Sequence, residues 1–396
     1  MSEHLHYFST DMRRWAVTLP FDLDAVIGQW DQLRAVMVRN MPEAFNRDEW
    51  AYLITFLDPH NLERPFLQAF GRREALAESS INGSIDSLAR PRGPVAVWLP
   101  NNVSLLGPLM LVLVSLTGNH VRLKAGSQAE DLTGALLDFA RAHLPSGPLA
   151  AFLDDCVQLE RFDRDDPRNR EMAKGAAVRV MFGSDESIAA IDALEHILGG
   201  GAIAFSDRRS EVWMETSQLH QDTLKTLIKV FAIYGRAGCT SPSRVVLLDA
   251  RREEAVALRD RLLELWPYAV RNDVPIHVAS ETIMARQWAA ARGWDAELAP
   301  RNSAMVAAGT PDLSPVAGLM SLLVVPATVE QAVQTLPANI QTIGYALERP
   351  GDPRWLQVLA PTSAKRFVPL ARMHHFGSLW DGYDYWRQLF EIVEIA

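Results

Sequence analysis

Cys239 is the residue of this chain whose type and setting best suit nucleophilic chemistry. It lies in YGRAGCTSPSRVVLL, residues 234–248, between a predicted helix and a predicted buried strand. Two glycines before the cysteine and a Ser-Pro pair after it favour a sharp turn that exposes the thiol. Arg236, three residues earlier, would favour the thiolate if it faces the sulfur. The alternative is an inert thiol, because cysteines outside disulfides are usually buried and unreactive.

Cys156 is the other cysteine, and carboxylates flank it in FLDDCVQLE. Negative neighbours disfavour a thiolate, so we predict a structural role for this residue. Two cysteines in 396 residues provide no disulfide framework. The low number of cysteines indicates a reducing compartment, and we expect a cytoplasmic protein.

Two stretches carry groups suited to a phosphate or a ribose. In MFGSDES an apolar strand ends in Gly183 and Ser184, and a helix starts directly after them. Ser184 is the predicted N-cap, and the backbone N–H groups of the first helical turn can bind a phosphate. A capped helix without a ligand is the alternative. In RLKAG, Lys124 ends a strand, where its ammonium can hold a ribose hydroxyl or a phosphate, or remain solvated.

Asn101 and Asn102 stand between a strand and an apolar helix in LPNNVSLLG. An amide at this position can donate to a developing oxyanion. It can equally cap the helix that follows. The sequence alone leaves both roles open.

The elements that must position these residues alternate between strand and helix. This rhythm is typical of crossover units in a mainly parallel sheet, so the predicted fold class is α/β, with two such units and a helical segment over residues 1–75. The predicted strands are residues 94–100, 120–126, 176–184, 201–207, 210–215, 243–250, 321–327 and 340–347. The predicted helices are residues 103–118, 129–143, 185–198, 217–234, 251–266 and 280–292.

Composition excludes several classes of protein. The net charge of −9 comes from 39 basic and 48 acidic residues without a basic cluster, so a nucleic-acid partner has no support. The apolar run over residues 103–118 is shorter than the ~20 residues of a membrane span and is better explained as a buried helix. The opening residues lack the pattern of a signal peptide. No metal site is predicted.

Four motifs, taken together, resemble one known family. PNNVSLLGPLMLVLVSLTGNHVRLKAGSQ resembles the Pro-x-Asn turn, apolar helix and strand lysine of aldehyde dehydrogenases. MFGSDES resembles the Phe-x-Gly-Ser turn of that superfamily, and GRAGCTSPSRVVL resembles its cysteine loop. The cysteine loop and the closing FGSLWDGYDYW look most like the LuxC-type acyl-CoA reductases, the fatty acid reductases of bacterial bioluminescence systems. The similarity runs from Pro94 to Trp386.

The resemblance implies an aldehyde-dehydrogenase-like fold of two Rossmann-like domains and a set of site residues. Cys239 matches the nucleophile and Asn102 the side-chain oxyanion donor. The implied cofactor residues are Lys124, Ser127, Phe182, Gly183 and Ser184, with the last three forming the turn beneath the pyrophosphate. Ser127 stands where a glutamate accepts hydrogen bonds from the adenosine ribose in NAD-preferring members. A serine leaves room for a 2′-phosphate, so the implied cofactor is NADPH, with NADH also accepted.

Two departures from the superfamily pattern bear on the reaction. Ala204 stands where hydrolytic aldehyde dehydrogenases carry a water-activating glutamate. This absence fits an acyl group that is exchanged with another thiol rather than hydrolysed. Gly235 and Arg236 stand where LuxC-type chains tend to carry Asp-Gln. The implied function is NAD(P)H-dependent reduction of an acyl thioester, acyl-CoA or carrier-bound and fatty in character, to an aldehyde through an acyl-cysteine.

The resemblance also implies partners and a domain plan. An acyl-protein synthetase is a possible partner, and a homo-oligomer is expected. The plan places a helical segment at 1–75, a cofactor-binding domain at 76–207, a catalytic domain at 208–372, and at 373–396 a segment returning to the cofactor domain or an oligomer interface. Two alternative functions remain: a semialdehyde-type reductase of acyl phosphates, and a non-redox acyl carrier or scaffold.

Overall fold

The computed structural model describes residues 3–74, 85–127, 129–206, 208–235, 238–270, 275–375 and 377–395. Arg236 therefore lies outside the described residues. The strands of the described part are β1 His4–Ser9, β2 Arg14–Leu19, β3 Arg72–Glu74, β4 Ser87–Pro91, β5 Val95–Trp98, β6 Val121–Ala125, β7 Val157–Arg161, β8 Val178–Phe182, β9 Gly201–Phe205, β10 Arg209–Glu215, β11 Pro242–Leu248, β12 Asp295–Leu298, β13 Met305–Ala308, β14 Ser321–Ala327, β15 Ile340–Ala346, β16 Arg366–Pro369, β17 Leu379–Trp380, β18 Tyr383–Asp384 and β19 Phe390–Glu394.

The helices of the described part are α1 Leu23–Met37, α2 Arg47–Phe56, α3 Pro59–Phe70, α4 Leu106–Ser115, α5 Leu132–His143, α6 Pro148–Asp155, α7 Arg168–Gly175, α8 Asp185–Asp192, α9 Gln221–Ala232, α10 Arg252–Ala269, α11 Ile276–Ala291, α12 Val329–Gln334, α13 Arg354–Leu359 and α14 Tyr385–Gln388. Short 3-10 turns occur at Thr216–Gln218, Pro300–Asn302 and Leu370–Arg372. None of the helices in these described ranges combines the length and apolar character that crossing a membrane requires.

The chain forms two compact units. The first comprises Met1–Ser206 with Phe376–Ala396, and the second comprises Asp207–His375. We refer to them as unit 1 and unit 2.

The predicted helical segment at the start of unit 1 also contains strands, which corrects the sequence prediction. Helices α1, α2 and α3 are present, but β1 and β2 precede them as an antiparallel pair that continues into β3. Phe8 and Trp15 face each other across β1 and β2, and both are buried. Each strand is six residues long, which is too short for its alternation to stand out beside the longer helical pattern. The resulting sheet has the order β19-β4-β2-β1-β3.

A five-stranded parallel sheet forms the other half of unit 1, in the order β7-β6-β5-β8-β9. The apolar run after β5 folds as α4, and every residue of this helix is buried, as predicted. A helix that is apolar on all sides must be covered on all sides. Helix α1 provides part of that cover, since Trp30 Nε1 donates to Ser115 Oγ at 2.9 Å in a buried contact.

Unit 2 is built on a seven-stranded sheet in the order β12-β13-β14-β11-β10-β15-β16. All of its neighbouring strands are parallel except β12 and β13. One face is covered by α9 and α10 through residues such as Leu227, Phe231 and Trp266, and the other by α11 to α13 through residues such as Ala285 and Trp355. Because helices cover both faces of this sheet, β11 and β14 are near-continuous apolar runs. The α/β fold class is confirmed.

Candidate active site

Cys239 lies in unit 2, in the turn between α9 and β11, and its side chain is half-buried. The turn is tight. A Cβ atom on Gly238 would lie 2.7 Å from Tyr234 Cβ and 2.9 Å from Ser241 Oγ, so only glycine fits before the cysteine. The hydroxyl of Ser210, at the start of β10, donates to the backbone carbonyl of Cys239 at 2.6 Å. The cysteine therefore sits on an anchored turn.

A buried histidine connects this turn to the end of α9. Thr240 Oγ1 and His374 Nδ1 are 2.7 Å apart, and His374 Nε2 is 2.7 Å from the carbonyl oxygen of Val230. Burial lowers the pKa of His374 to about 4, and the charges of Arg366 and His375 act in the same direction. The imidazole is therefore neutral near pH 7. Sequence analysis missed both Ser210 and His374 as neighbours of the turn.

Cys156 differs from Cys239 in its surroundings. It follows α6 and is half-buried, with its Sγ 3.9 Å from Nε2 of His120. Burial raises the pKa of the Cys156 thiol, and the charge of Asp155 raises it further. A thiol that resists ionisation is a weak nucleophile, which agrees with the structural role expected for this residue.

The candidate residues of unit 1 lie along one edge of its parallel sheet. Strands β5, β6 and β8 are neighbours and run in the same direction. Trp98 pairs with Lys124 on one side and with Met181 on the other, so the three strands end at the same level. The loops that follow them carry Asn102, Ser127 and the Gly183-Ser184 pair. The carboxyl edge of a parallel sheet is where such folds bind their ligands.

Lys124 is half-buried near the end of β6. Its Nζ lies 5.7 Å from the centre of the Phe162 ring. Burial lowers the pKa of Lys124, and the charge of Asp163 partly offsets this effect. A half-buried ammonium is poorly hydrated, so an anion or a hydroxyl beside it gains more than it would at an exposed lysine.

The two asparagines after β5 lie in the loop before the apolar helix. Helix α4 begins at Leu106, and its N-cap residue, Leu105, makes no side-chain cap hydrogen bond. Asn101 and Asn102 are both exposed. A Cβ atom on Gly126 would lie 2.4 Å from Asn101 Oδ1, so the loops after β5 and β6 pack directly on each other. The role of Asn102 as an oxyanion donor stays a prediction.

Ser127 is exposed in the loop after β6. The next helix is capped by Asp131, which accepts a hydrogen bond from the backbone N–H of Gly134 at 2.9 Å. Arg161, at the end of β7, donates to the carbonyls of Ser127 and Ala129 at 3.3 and 2.8 Å. The sequence analysis did not predict β7 and therefore did not single out Arg161 at its end.

Ser184 is the N-cap of α8, as predicted, and accepts a hydrogen bond from the backbone N–H of Ser187 at 3.2 Å. Gly183 precedes it, and a Cβ atom there would lie 3.3 Å from Ser187 Cβ, so the turn is closely packed. The ring of Phe182 stacks on Phe205 at 4.6 Å between ring centres. The remaining N–H groups of the first turn point out of the helix start, where an anion can bind.

Ala204 lies within β9, paired with Met181 of β8. Its side chain is partly buried against the apolar cluster that contains Trp98 and Ile188. Its methyl group supplies no acid or base at this position. Among the described residues, no group of three or more His, Cys, Asp or Glu side chains is placed to hold a metal ion.

Comparison with known proteins assigns the chain to a family. A model of the family described as acyl-CoA reductase (LuxC) matches residues 27–392. The chain belongs to the acyl-CoA reductase (LuxC) family. No curated protein sequence matches the chain significantly.

Solved structures of aldehyde dehydrogenases are similar to this LuxC-family chain in fold. An aldehyde dehydrogenase from Bartonella henselae has a TM-score of 0.62 at 11% identity, covering 95% of this chain and 87% of that one. An NAD-dependent aldehyde dehydrogenase from Sinorhizobium meliloti has a TM-score of 0.59 at 14% identity, covering 94% and 80%. A glyceraldehyde-3-phosphate dehydrogenase from Methanocaldococcus jannaschii, complexed with NADP, has a TM-score of 0.59 at 12% identity, covering 95% and 90%. The predicted aldehyde-dehydrogenase-like fold is confirmed.

Proposed function

We propose that this protein reduces a fatty acyl thioester to an aldehyde with NADPH, through an acyl group carried on Cys239. The observation that carries the proposal is the half-buried thiol of Cys239 on a turn that Ser210 anchors, in a chain of the acyl-CoA reductase family. Cys156 is the poorer candidate because burial raises its pKa. We assign the nucleophile to unit 2 and cofactor binding to unit 1.

The chemistry of the cysteine follows from its type. The Cys239 thiolate attacks the carbonyl carbon of the thioester, and the new sulfur–carbon bond replaces the bond to CoA or to a carrier thiol, which leaves. The amide of Asn102 and the backbone N–H of Cys239 donate to the oxygen that becomes negative in this step. When bound, the nicotinamide supplies a hydride to the acyl carbon. The Cys239 sulfur–carbon bond then breaks, which releases the aldehyde and restores the thiolate.

The side chains and backbone of unit 1 suit a dinucleotide. Backbone N–H groups at the start of α8, preceded by Gly183 and Ser184, would hold the pyrophosphate, with Phe182 supporting the turn. Lys124 would hold a ribose hydroxyl or a phosphate from its half-buried ammonium. The backbone N–H groups and the Lys124 ammonium donate hydrogen bonds, which the phosphates and ribose of a nicotinamide cofactor accept.

Two positively charged side chains, on β6 and β7, support NADPH as the cofactor. Ser127 adds no negative charge and can donate to a phosphate oxygen. Arg161 holds the carbonyls on either side of residue 128, so its guanidinium brings a positive charge to the same loop. Lys124 adds a second positive charge from β6. A 2′-phosphate is thereby attracted, whereas a glutamate at position 127 would repel it.

The acyl group must be protected from water, and it must be delivered to Cys239. Ala204 provides no base that would activate water, which supports transfer and reduction over hydrolysis. We propose delivery as a CoA thioester or a carrier-bound thioester. The resemblance adds an acyl-protein synthetase as a partner and a homo-oligomer as the assembly.

One experiment tests the proposal against both alternatives. The protein is mixed with a long-chain acyl-CoA, first alone and then with NADPH, and the acyl adduct is measured by intact mass and NADPH by absorbance. We expect an adduct in wild type and in Cys156→Ser, no adduct in Cys239→Ser, and NADPH oxidation with aldehyde release only where the adduct forms. Adduct formation without NADPH oxidation would identify an acyl carrier. A parallel mixture contains an acyl phosphate in place of the acyl-CoA, and NADPH oxidation only in that mixture would identify a semialdehyde-type reductase.

A further inference from the structure

His374 occupies a position between two backbone segments that meet beside Cys239. It is buried, with 6% of its side chain exposed, and its two ring nitrogens contact Thr240 and Val230 at 2.7 Å each. Val230 lies in the last turn of α9, where backbone carbonyls lack partners within the helix. Thr240 directly follows the cysteine. One imidazole thus connects the end of the helix before the turn to the residue after the nucleophile.

The tautomer of His374 follows from these partners. The Val230 carbonyl can only accept, so Nε2 carries the proton and donates. Nδ1 therefore accepts, and the hydroxyl of Thr240 donates to it. Arg366 and His375 are the charged or titratable groups that act on His374, and the ring of Tyr234 packs edge-on against it. Both ring nitrogens are occupied in the neutral form, so His374 is not arranged as a proton acceptor for the thiol.

The peptide between Cys239 and Thr240 is held from both ends. Its carbonyl accepts from Ser210 Oγ at 2.6 Å, and the Thr240 side chain that follows it is bonded to His374. Ser210 and His374 are far apart in sequence and bind the same short turn. With this peptide fixed, the Cα–Cβ direction of Cys239 is fixed as well, and with it the line along which the sulfur approaches a carbonyl carbon.

We propose that His374 is a positioning residue for the nucleophile, acting through the hydroxyl of Thr240. The inference rests on the proposed function, in which Cys239 attacks an acyl thioester. Holding a reacting atom within a fraction of an ångström of its productive position governs the rate of the covalent step, whereas substrate affinity depends on other groups. Loss of the Thr240–His374 bond should therefore lower the acylation rate and leave the KM for the thioester unchanged.

The test removes one hydroxyl without changing shape. Thr240→Val deletes the donor, Thr240→Ser keeps it, and Thr282→Val makes the same change at a buried threonine in α11, whose hydroxyl donates within its own helix. Each variant is compared with wild type for the rate of Cys239 acylation by a long-chain acyl-CoA without cofactor, read by intact mass. The KM for acyl-CoA in the full reaction and the melting temperature are measured alongside.

We expect Thr240→Val to slow acylation by on the order of 10- to 100-fold at unchanged KM, with Thr240→Ser and Thr282→Val close to wild type. A merely structural role would lower the melting temperature of Thr240→Val and leave acylation of the folded protein intact, and that result overturns the inference. If Thr240→Val does not fold, Thr240→Ala receives the same measurements. If wild-type Cys239 is not acylated, the proposed function itself is overturned. If wild type and Thr240→Val are acylated at equal rates, only the inference about His374 is overturned.

Discussion

Ser210 donates its hydroxyl hydrogen to the backbone carbonyl of Cys239 over 2.6 Å, although the two residues are 29 positions apart in the chain. Ser210 is fully buried at the start of β10, and its own carbonyl accepts from Ser243 Oγ at 3.2 Å in β11. The cysteine turn is therefore attached to two neighbouring strands of the unit 2 sheet. An attachment to the sheet, rather than to another loop, gives the turn a rigid support.

We expect Ser210→Ala to loosen this support. The change leaves the Cys239 carbonyl without its donor, at a cost of about 1 kcal/mol in the free energy of unfolding. The acylation rate of Cys239, measured by intact mass, should fall as well. Ser321→Ala, at another fully buried serine of the same sheet, is the matched control. Equal acylation rates in the two variants would show that the Ser210 contact does not position the thiol.

Much of the fold was readable from the sequence because its signals are local. The strands β5, β8, β11 and β14 are short and largely apolar, β6 alternates between buried and partly exposed residues, and α4 is apolar on every side. The turns after the strands of unit 1 were equally visible. Strands β1 and β2 were missed because a six-residue alternation is weak beside the helical pattern that follows.

The partners of the cysteine turn could not be found in the same way. Thr240 and His374 are 134 residues apart, and their contact depends on the three-dimensional course of the chain. A single sequence contains no periodicity that links them. The starts of α4 and α5 were predicted three residues too early, at residues 103 and 129, because helix boundaries are weakly marked in a sequence.

Asn102→Ala should lower the rate of Cys239 acylation by roughly 100-fold, because a donor to the developing oxyanion is lost. The exposed position of Asn102 predicts little change in melting temperature. Asn101→Ala is the control, since Asn101 is the exposed neighbour that packs on Gly126. If Asn101→Ala lowers the rate more than Asn102→Ala does, the oxyanion donor is Asn101 and the assignment to Asn102 is wrong.

Ala204→Glu should introduce thioester hydrolysis by placing a base where hydrolytic relatives carry one. The product to measure is free fatty acid formed from acyl-CoA without NADPH. Ala202→Glu is the control, because Ala202 is exposed and lies two residues away on the same face of β9. Free acid from neither variant would mean that Ala204 does not align with the missing glutamate. The partly buried Ala204 also predicts a lower melting temperature for its variant than for the control.

The free energy of unfolding of unit 2 should fall as the pH is lowered from 6.5 to about 4, the range in which His374 stays neutral in the folded protein. Its pKa is about 4 in the folded protein, below the ordinary value of 6.5. Between pH 6.5 and pH 4 this histidine is protonated in the unfolded chain but neutral in the folded protein. The free energy of unfolding therefore decreases as the pH falls through this range, and this histidine leaves it unchanged above pH 6.5. The total effect is about 3 kcal/mol. Denaturant unfolding at a series of pH values measures it.

His374→Gln removes the titrating group, and its stability should depend less on pH across the same range. His277→Gln, at an exposed histidine of α11, should retain the wild-type slope. Identical slopes in His374→Gln and wild type would show that other groups cause the acid sensitivity.

We expect cofactor preference to depend on the loop after β6. Ser127→Glu places a carboxylate where a 2′-phosphate would bind, so kcat/KM for NADPH should fall by at least about 10-fold while that for NADH is kept or improved. Arg161→Gln removes the guanidinium that holds the Ser127 and Ala129 carbonyls, and it should lower kcat/KM for NADPH more than for NADH. Arg141→Gln, an exposed arginine of α5 paired with Asp154, should change neither ratio. A wild-type enzyme that strongly prefers NADH would refute the assignment, and so would a Ser127→Glu variant with unchanged use of NADPH. In either case the charge at position 127 would not determine which cofactor binds.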